Sequence, residues 1–237
     1  MSTTTSSRKP WIIAVVALAV FVALVAIART TGNPDRAHDK PAATGKVPNK
    51  PGEMPVVRRD GRDPMGMGDP AAPVVLVLWT DLRCPYCAVF NRKVLPIIEK
   101  EYIEPGKVRF ESNDVAFFGE QSENAAVAAR AAGNQGKYFA YTKAVYAEAP
   151  EKGHPDLPRD RLVYFAKKAG VPDIARFTRD LDDPALRDKV RQTTDTAQRL
   201  GVPSVPFFVA GNAVLSGAQP EDEFRTFLDA AIKNAEK

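Results

Sequence analysis

The chain has 237 residues, 26% of them charged and 44% hydrophobic, with a formal net charge of +4. That is long enough for one or two domains with a sizeable core, at the composition of an ordinary globular protein. The small, scattered positive excess forms no basic stripe interleaved with aromatics, so a nucleic-acid partner is not expected. Its one local concentration, Arg58, Arg59 and Arg62, suits anionic lipid head groups or, more simply, a solvated linker.

The N-terminus departs from the average. After Arg8 and Lys9, residues 11–28 read WIIAVVALAVFVALVAIA, eighteen residues without a charge. At ~1.5 Å of rise per residue they span about 27 Å, close to the ~30 Å hydrocarbon core. A signal peptide has a shorter apolar region and a small-x-small cleavage site, which AIA at 26–28 supplies. The length favours a retained single transmembrane helix or signal anchor over 11–28, with residues 1–10 as a cytoplasmic N-terminus. Arg29, Arg36, Lys40 and Lys46 follow the segment, so flanking charge does not settle its orientation. Long domains translocate largely regardless of such charge. The remainder is expected outside the cytoplasm, tethered to the cell membrane, chiefly on the thiol argument below.

Residues 29–70 hold seven prolines and six glycines with almost no aliphatic periodicity. Such a composition buries too little apolar surface to offset its ordering entropy, which predicts a flexible linker. The folded domain is expected over 71–237. Val74-Val75-Leu76-Val77-Leu78-Trp79 is a short, continuous apolar run, as in a central strand covered on both faces. A helix follows to about Tyr102, with Pro96 placed to kink it. Val108, Phe110 and Ser112 then alternate as a second strand, completing a βαβ unit. From about 119 to 201 the pattern is helical, with one stripe at Leu162, Phe165, Ala166 and Ala169. Another runs through Leu186, Val190, Thr193, Ala197 and Leu200. Asp183-Pro184 marks a helix start and Gly201 a stop. VPFFVA and AVLSG read as two strands across a Gly-Asn turn, and Phe224, Phe227, Leu228, Ala231 and Ile232 mark a final amphipathic helix.

Every cysteine in the chain lies in TDLRCPYCAVFN, as Cys84 and Cys87. A structural disulfide across so short a loop removes little unfolded-state entropy. A zinc site needs about four ligands, and only His38 and His154 remain to join the pair; both read as surface histidines, and no metal is expected. Beside a βαβ pattern, C-x-x-C reads as a thioredoxin-like redox motif. At a helix start Cys84 meets free backbone N–H groups and the positive end of the macrodipole, which stabilise its thiolate. Cys84 is then the exposed nucleophile, and Cys87, one turn on, the buried resolving thiol. Pro85 sits where its missing N–H is no loss.

WTDLRCPYCAVF, GEQSENAAVAARAAGNQGKYFAYTKAVY and LGVPSVPFFVAGNAVLSG, in that order, resemble the DsbA-like thiol:disulfide oxidoreductases of the thioredoxin superfamily, over roughly residues 64–237. The resemblance implies an α/β thioredoxin-like fold with an inserted helical domain. It also implies a cis-proline facing the cysteines, which Pro206, preceded by Val205, matches better than Pro203, and no cofactor beyond the Cys84–Cys87 disulfide. Many relatives carry an acidic residue where this chain has Leu78; Asp81 is the nearest substitute, or else a turn residue. Pro85-Tyr86 replaces the Pro-His of the strongest oxidants, which implies a less oxidising disulfide.

The function expected is a membrane-tethered dithiol oxidase acting on thiols of unfolded or newly translocated proteins. Its reoxidant would be a membrane protein resembling DsbB or vitamin K epoxide reductase. A reductase or isomerase, or a non-catalytic binding or chaperone module on the same scaffold, are the competing readings. Glutaredoxins share C-P-Y-C but are far shorter. Trp79, Phe118 and Val205–Phe208 are candidates for a peptide-binding groove, and a monomer is expected.

Overall fold

The computed structural model describes residues 45–46 and 56–236; the expected transmembrane segment and most of the expected linker lie outside them. Among the described residues no helix is long and apolar enough to cross a membrane.

Among the described residues six strands form one mixed sheet in the order β1-β6-β5-β3-β4-β2. They are β1 Gly45–Lys46, β2 Gly66–Met67, β3 Val74–Thr80, β4 Val108–Asp114, β5 Phe207–Ala210 and β6 Ala213–Ser216. The central β3 runs parallel to β4 and antiparallel to β5. The parallel pair is joined by the helical stretch α1, residues 85–103, giving the βαβ unit. The β5–β6 hairpin turns at Gly211, whose φ of 59° suits a residue without Cβ.

Side chains along β3 alternate between two cores. Val74, Leu76 and Leu78 face α1 and the C-terminal helix α7, Glu221–Ala235. Val75, Val77 and Trp79 face the helices inserted between β4 and β5. These are α2 Glu120–Gly133, α3 Tyr138–Ala147, α4 Arg159–Lys168, α5 Ile174–Asp180 and α6 Pro184–Arg199. Covered on both faces, β3 tolerates no polar position before Thr80, and so reads as a continuous apolar run.

Helix α1 answers its proline by changing register. α-Helical Pro85–Val89 gives way to π-helical Phe90–Val94, then Leu95–Ile98 carries Pro96 in its first turn, and Glu99–Ile103 is π-helical again. The widened turn ahead of Pro96 accommodates the missing donor. Helix α6 starts as expected: Asp183 Oδ1 accepts from Ala185 N at 2.8 Å, Pro184 follows, and Gly201 at φ 73° stands beyond the end. Its stripe ends early, however. Leu186, Val190 and Ala197 are buried while Leu200 is exposed, because the helix stops at Arg199 before returning that face to the core.

The expected linker boundary at 70 needs correction. Val56 and Met65 are buried in the core on the helical-insert side, and β2 pairs antiparallel with β4 through Gly66↔Glu111 and Met67↔Phe110. Residues 58 and 59 are exposed but anchored to the sheet. The buried Glu111 accepts from Arg58 N at 2.8 Å, Arg59 N at 2.7 Å and Arg109 Nε at 2.7 Å. Arg58 reaches Asn113 and the Ser112 carbonyl, and Arg59 the carbonyls of Pro70 and Ala72. Polar anchors hold this stretch, so apolar periodicity could not reveal it. A Cβ at Gly66 would lie 2.3 Å from Arg109 Nη2, so a side chain there would displace that guanidinium.

Candidate active site

The site forms where β3 ends and α1 begins. Cys84 is the N-cap of α1 with Pro85 at its first position, and Cys87 follows one turn later. The turn is shaped by Asp81, whose backbone oxygen accepts from Cys84 N at 3.0 Å. The Asp81 carboxylate is spent on structure: Oδ1 accepts from Arg83 N and Ser122 Oγ, and Oδ2 from Phe117 N, at 2.8–2.9 Å. Burial raises its pKa against these bonds. Its oxygens are directed at the turn and the insert rather than at Cys87, so it is a turn residue and no substitute for an acid at Leu78.

Both cysteines are free. Cys84 is only 3% exposed and Cys87 1%, which corrects the expectation of one exposed and one buried thiol. Their surroundings distinguish them instead. Cys84 opens onto a groove of about 710 Å³, and its thiol donates to the Val205 carbonyl at 3.3 Å. A hydrogen bond from Cys87 and the N–H groups of Cys87 and Tyr86 hold the Cys84 pKa below the ordinary thiol value, outweighing desolvation and the Asp81 charge. Cys87 is pushed well above it by burial and by the neighbouring Cys84 sulfur, with only partial relief from the Thr80 hydroxyl. One thiol is therefore prepared to be a thiolate and the other to hold its proton.

Opposite Cys84, the Val205–Pro206 peptide is cis, and Val205 lines the groove with Pro85, the exposed Tyr86, Phe117 and Phe118. Trp79 does not join them. It is buried behind the site and packs on Phe207 at 6.0 Å between centroids. Phe208 is core too, tilted against Phe90 and edge-on to Phe224.

One residue that sequence reasoning left on the surface joins the groove, held there by Arg83. His154, expected on the surface alone, lies in the groove wall, its ring 4.1 Å from that of Phe118. Its Nδ1 lies 2.9 Å from the Arg83 carbonyl; a carbonyl only accepts, so Nδ1 carries the proton of that bond. Arg83 closes the latch in return, donating Nε to Pro155 O at 2.9 Å and Nη1 to Phe118 O at 2.8 Å. No local signal marks this pair, because the partners are 71 and 72 residues apart. Among the described residues no cluster of three or more His, Cys, Asp or Glu is arranged to hold a metal.

A family model described as thioredoxin matches residues 61–230. The chain belongs to the thioredoxin family. A probable disulfide bond formation protein D of Bacillus cereus is 30% identical over 172 residues, covering 70% of this chain and 78% of that protein. Among solved structures, oxidised BdbD of Bacillus subtilis superposes with a TM-score of 0.68 at 21% identity, covering 82% of this chain and all of that one. Wolbachia pipientis alpha-DsbA1 superposes at 0.64 and 22% identity, over 72% and 92% of the two chains. Within the family this is a protein thiol:disulfide oxidoreductase, its thioredoxin-like domain carrying a helical insertion and, at the start of α1, the Cys84–Cys87 pair; its fold is that of the DsbA proteins.

Proposed function

We propose that this enzyme is an extracytoplasmic, membrane-tethered dithiol oxidase that introduces disulfides into newly translocated proteins. One observation carries the reading. The Cys84 sulfur is stabilised as thiolate by Cys87 and the helix start while it faces the open groove beside Val205 and Pro206. A stabilised thiolate leaves readily and makes its disulfide a better oxidant. The names of relatives such as the Bacillus cereus protein point the same way.

In the oxidised enzyme a substrate thiolate attacks the Cys84 sulfur and displaces Cys87, giving a mixed disulfide. A second substrate thiolate attacks the substrate sulfur of that bond, and Cys84 departs as thiolate. The substrate leaves with a disulfide and the enzyme keeps both electrons as a dithiol. The Val205 carbonyl, aimed at Cys84, offers an acceptor to the backbone of an extended peptide. Residues 11–28 hold the domain at the outer face of the membrane, and a membrane protein resembling DsbB or vitamin K epoxide reductase takes the electrons away.

The test is the reduction potential of the Cys84–Cys87 pair, equilibrated against glutathione buffers. The expected value lies nearer ~−120 mV than the ~−270 mV of thioredoxin, displaced from the oxidising extreme because Tyr86 brings no charge. A value near ~−270 mV would make the enzyme a reductant and reverse the direction of electron flow.

A further inference from the structure

A second recess, of about 410 Å³, lies between the strap of residues 56–65, α2 and α6. That volume is within the range of small-molecule sites, and the recess shares no lining residue with the groove at Cys84. Its apolar lining comes from Val56, Met65, Trp79 and Leu186, all of them buried.

The charges around it do not cancel. Arg58 donates Nε to Asp63 Oδ2 at 2.5 Å, and Arg130 donates Nε to Asp114 Oδ2 at 3.2 Å and Nη2 to Thr193 Oγ1 at 2.9 Å. Asp63 Oδ1 is occupied as well, accepting from Met65 N at 2.9 Å. Lys189, the third cation of the lining, is exposed and forms no ion pair among the described residues. Two cations are thus matched by carboxylates and one is not, which favours a guest carrying a single negative charge.

The observation that points to a guest is at the floor. Asn113 of β4, level with Trp79 of β3, is 7% exposed and lines the recess. Its Oδ1 accepts from Arg58 Nη1 at 2.7 Å; a guanidinium only donates, so the amide oxygen must face it. The other end of the amide, Nδ2, is buried and has no hydrogen-bond partner among the described residues. The other buried polar side chains of β4, Arg109, Glu111, Ser112 and Asp114, are all paired. An unmet buried donor costs stability. Arg58 needs only an acceptor, which aspartate would supply; the amide adds a donor for an oxygen from outside the chain.

We propose that this recess binds a small organic monocarboxylate with an apolar body. A carboxylate oxygen accepts from Asn113 Nδ2, the Lys189 ammonium balances the charge, and the body lies against Met65, Trp79 and Leu186. The site is separate from thiol–disulfide exchange, and it stands whichever way electrons flow through Cys84 and Cys87.

The experiment is a titration of the full-length protein, in non-ionic detergent, with hydrocinnamate. The chain has two tryptophans, Trp11 and Trp79, so Trp11→Phe leaves the one in the recess as the fluorescent reporter. A saturable change in Trp79 emission is expected. Hydrocinnamyl alcohol, the neutral analogue, should bind at least about tenfold more weakly, since hydrogen bonds to a charged group are the stronger ones. Added to this reporter, Asn113→Asp keeps an acceptor for Arg58 but turns the free donor into a repelling carboxylate, and should abolish the change. Lys189→Gln should weaken binding at least about threefold, the worth of an exposed ion pair; at its exposed position it decides the case should Asn113→Asp unfold. No saturable change up to millimolar hydrocinnamate, or equal affinity in the reporter protein and its Lys189→Gln variant, would overturn the site. Inorganic phosphate binding as tightly as hydrocinnamate would overturn the role given to the apolar lining.

Discussion

Two sulfurs one helical turn apart are pushed in opposite directions by their neighbours, Cys84 toward thiolate and Cys87 toward thiol. Cys84 gathers hydrogen bonds from Cys87 and the helix start, while Cys87 is enclosed beside Thr80 and Tyr146. Cys84→Ser is therefore expected to abolish thiol–disulfide exchange. Cys87→Ser should leave substrates trapped on Cys84, visible as adducts on non-reducing gels. Alkylation of Cys84 against pH should show a midpoint below the ~8.5 of an ordinary thiol. A midpoint at or above that value would contradict the assigned asymmetry. This much was legible from C-P-Y-C alone, since the helix start that acidifies Cys84 is local. His154 was not, because its place in the groove depends on Arg83 and Phe118.

At the scale of elements, the surprise lies in residues 56–70. Their prolines and glycines suggested a tether, yet buried Glu111 ties the Arg58 and Arg59 backbone to the sheet while also pairing with Arg109. Glu111→Ala would leave Arg109, 2% exposed at its side chain, without its carboxylate. Removing one partner of a buried pair costs about 3–5 kcal/mol, and urea unfolding should show a loss of that size. A loss under about 1 kcal/mol would mean that the strap stands without its anchor. Helix boundaries, by contrast, followed from local chemistry: Asp183-Pro184 opens α6 through a side-chain cap.

Over the whole molecule, one sheet is packed on both faces, and the cysteine helix belongs to that packing through Phe90 against Phe208 and Phe224. Redox state and stability are thus coupled. The lowered Cys84 pKa stabilises the folded dithiol; this contribution is complete above the unfolded thiol's ~8.5 and is lost as pH falls through the lower folded value. Above ~8.5 the raised Cys87 thiol works in the opposite sense. The dithiol form should therefore resist urea better than the disulfide form near neutral pH, by a margin that grows as pH rises toward ~8.5. A disulfide form that is the more stable would argue for a reductant.

The sequence by itself determined the redox pair, the strand–helix–strand unit around it and the helical insertion, because each is written in neighbouring residues through periodicity, caps and spacing. The apolar run of β3 announced a strand covered on both faces. Only the tertiary structure decided that 56–70 belongs to the domain, that Cys84 is acidified without being exposed, and that His154 shares its groove. Those features rest on contacts between residues far apart in the chain, and polar contacts of that kind have no period from which to be read.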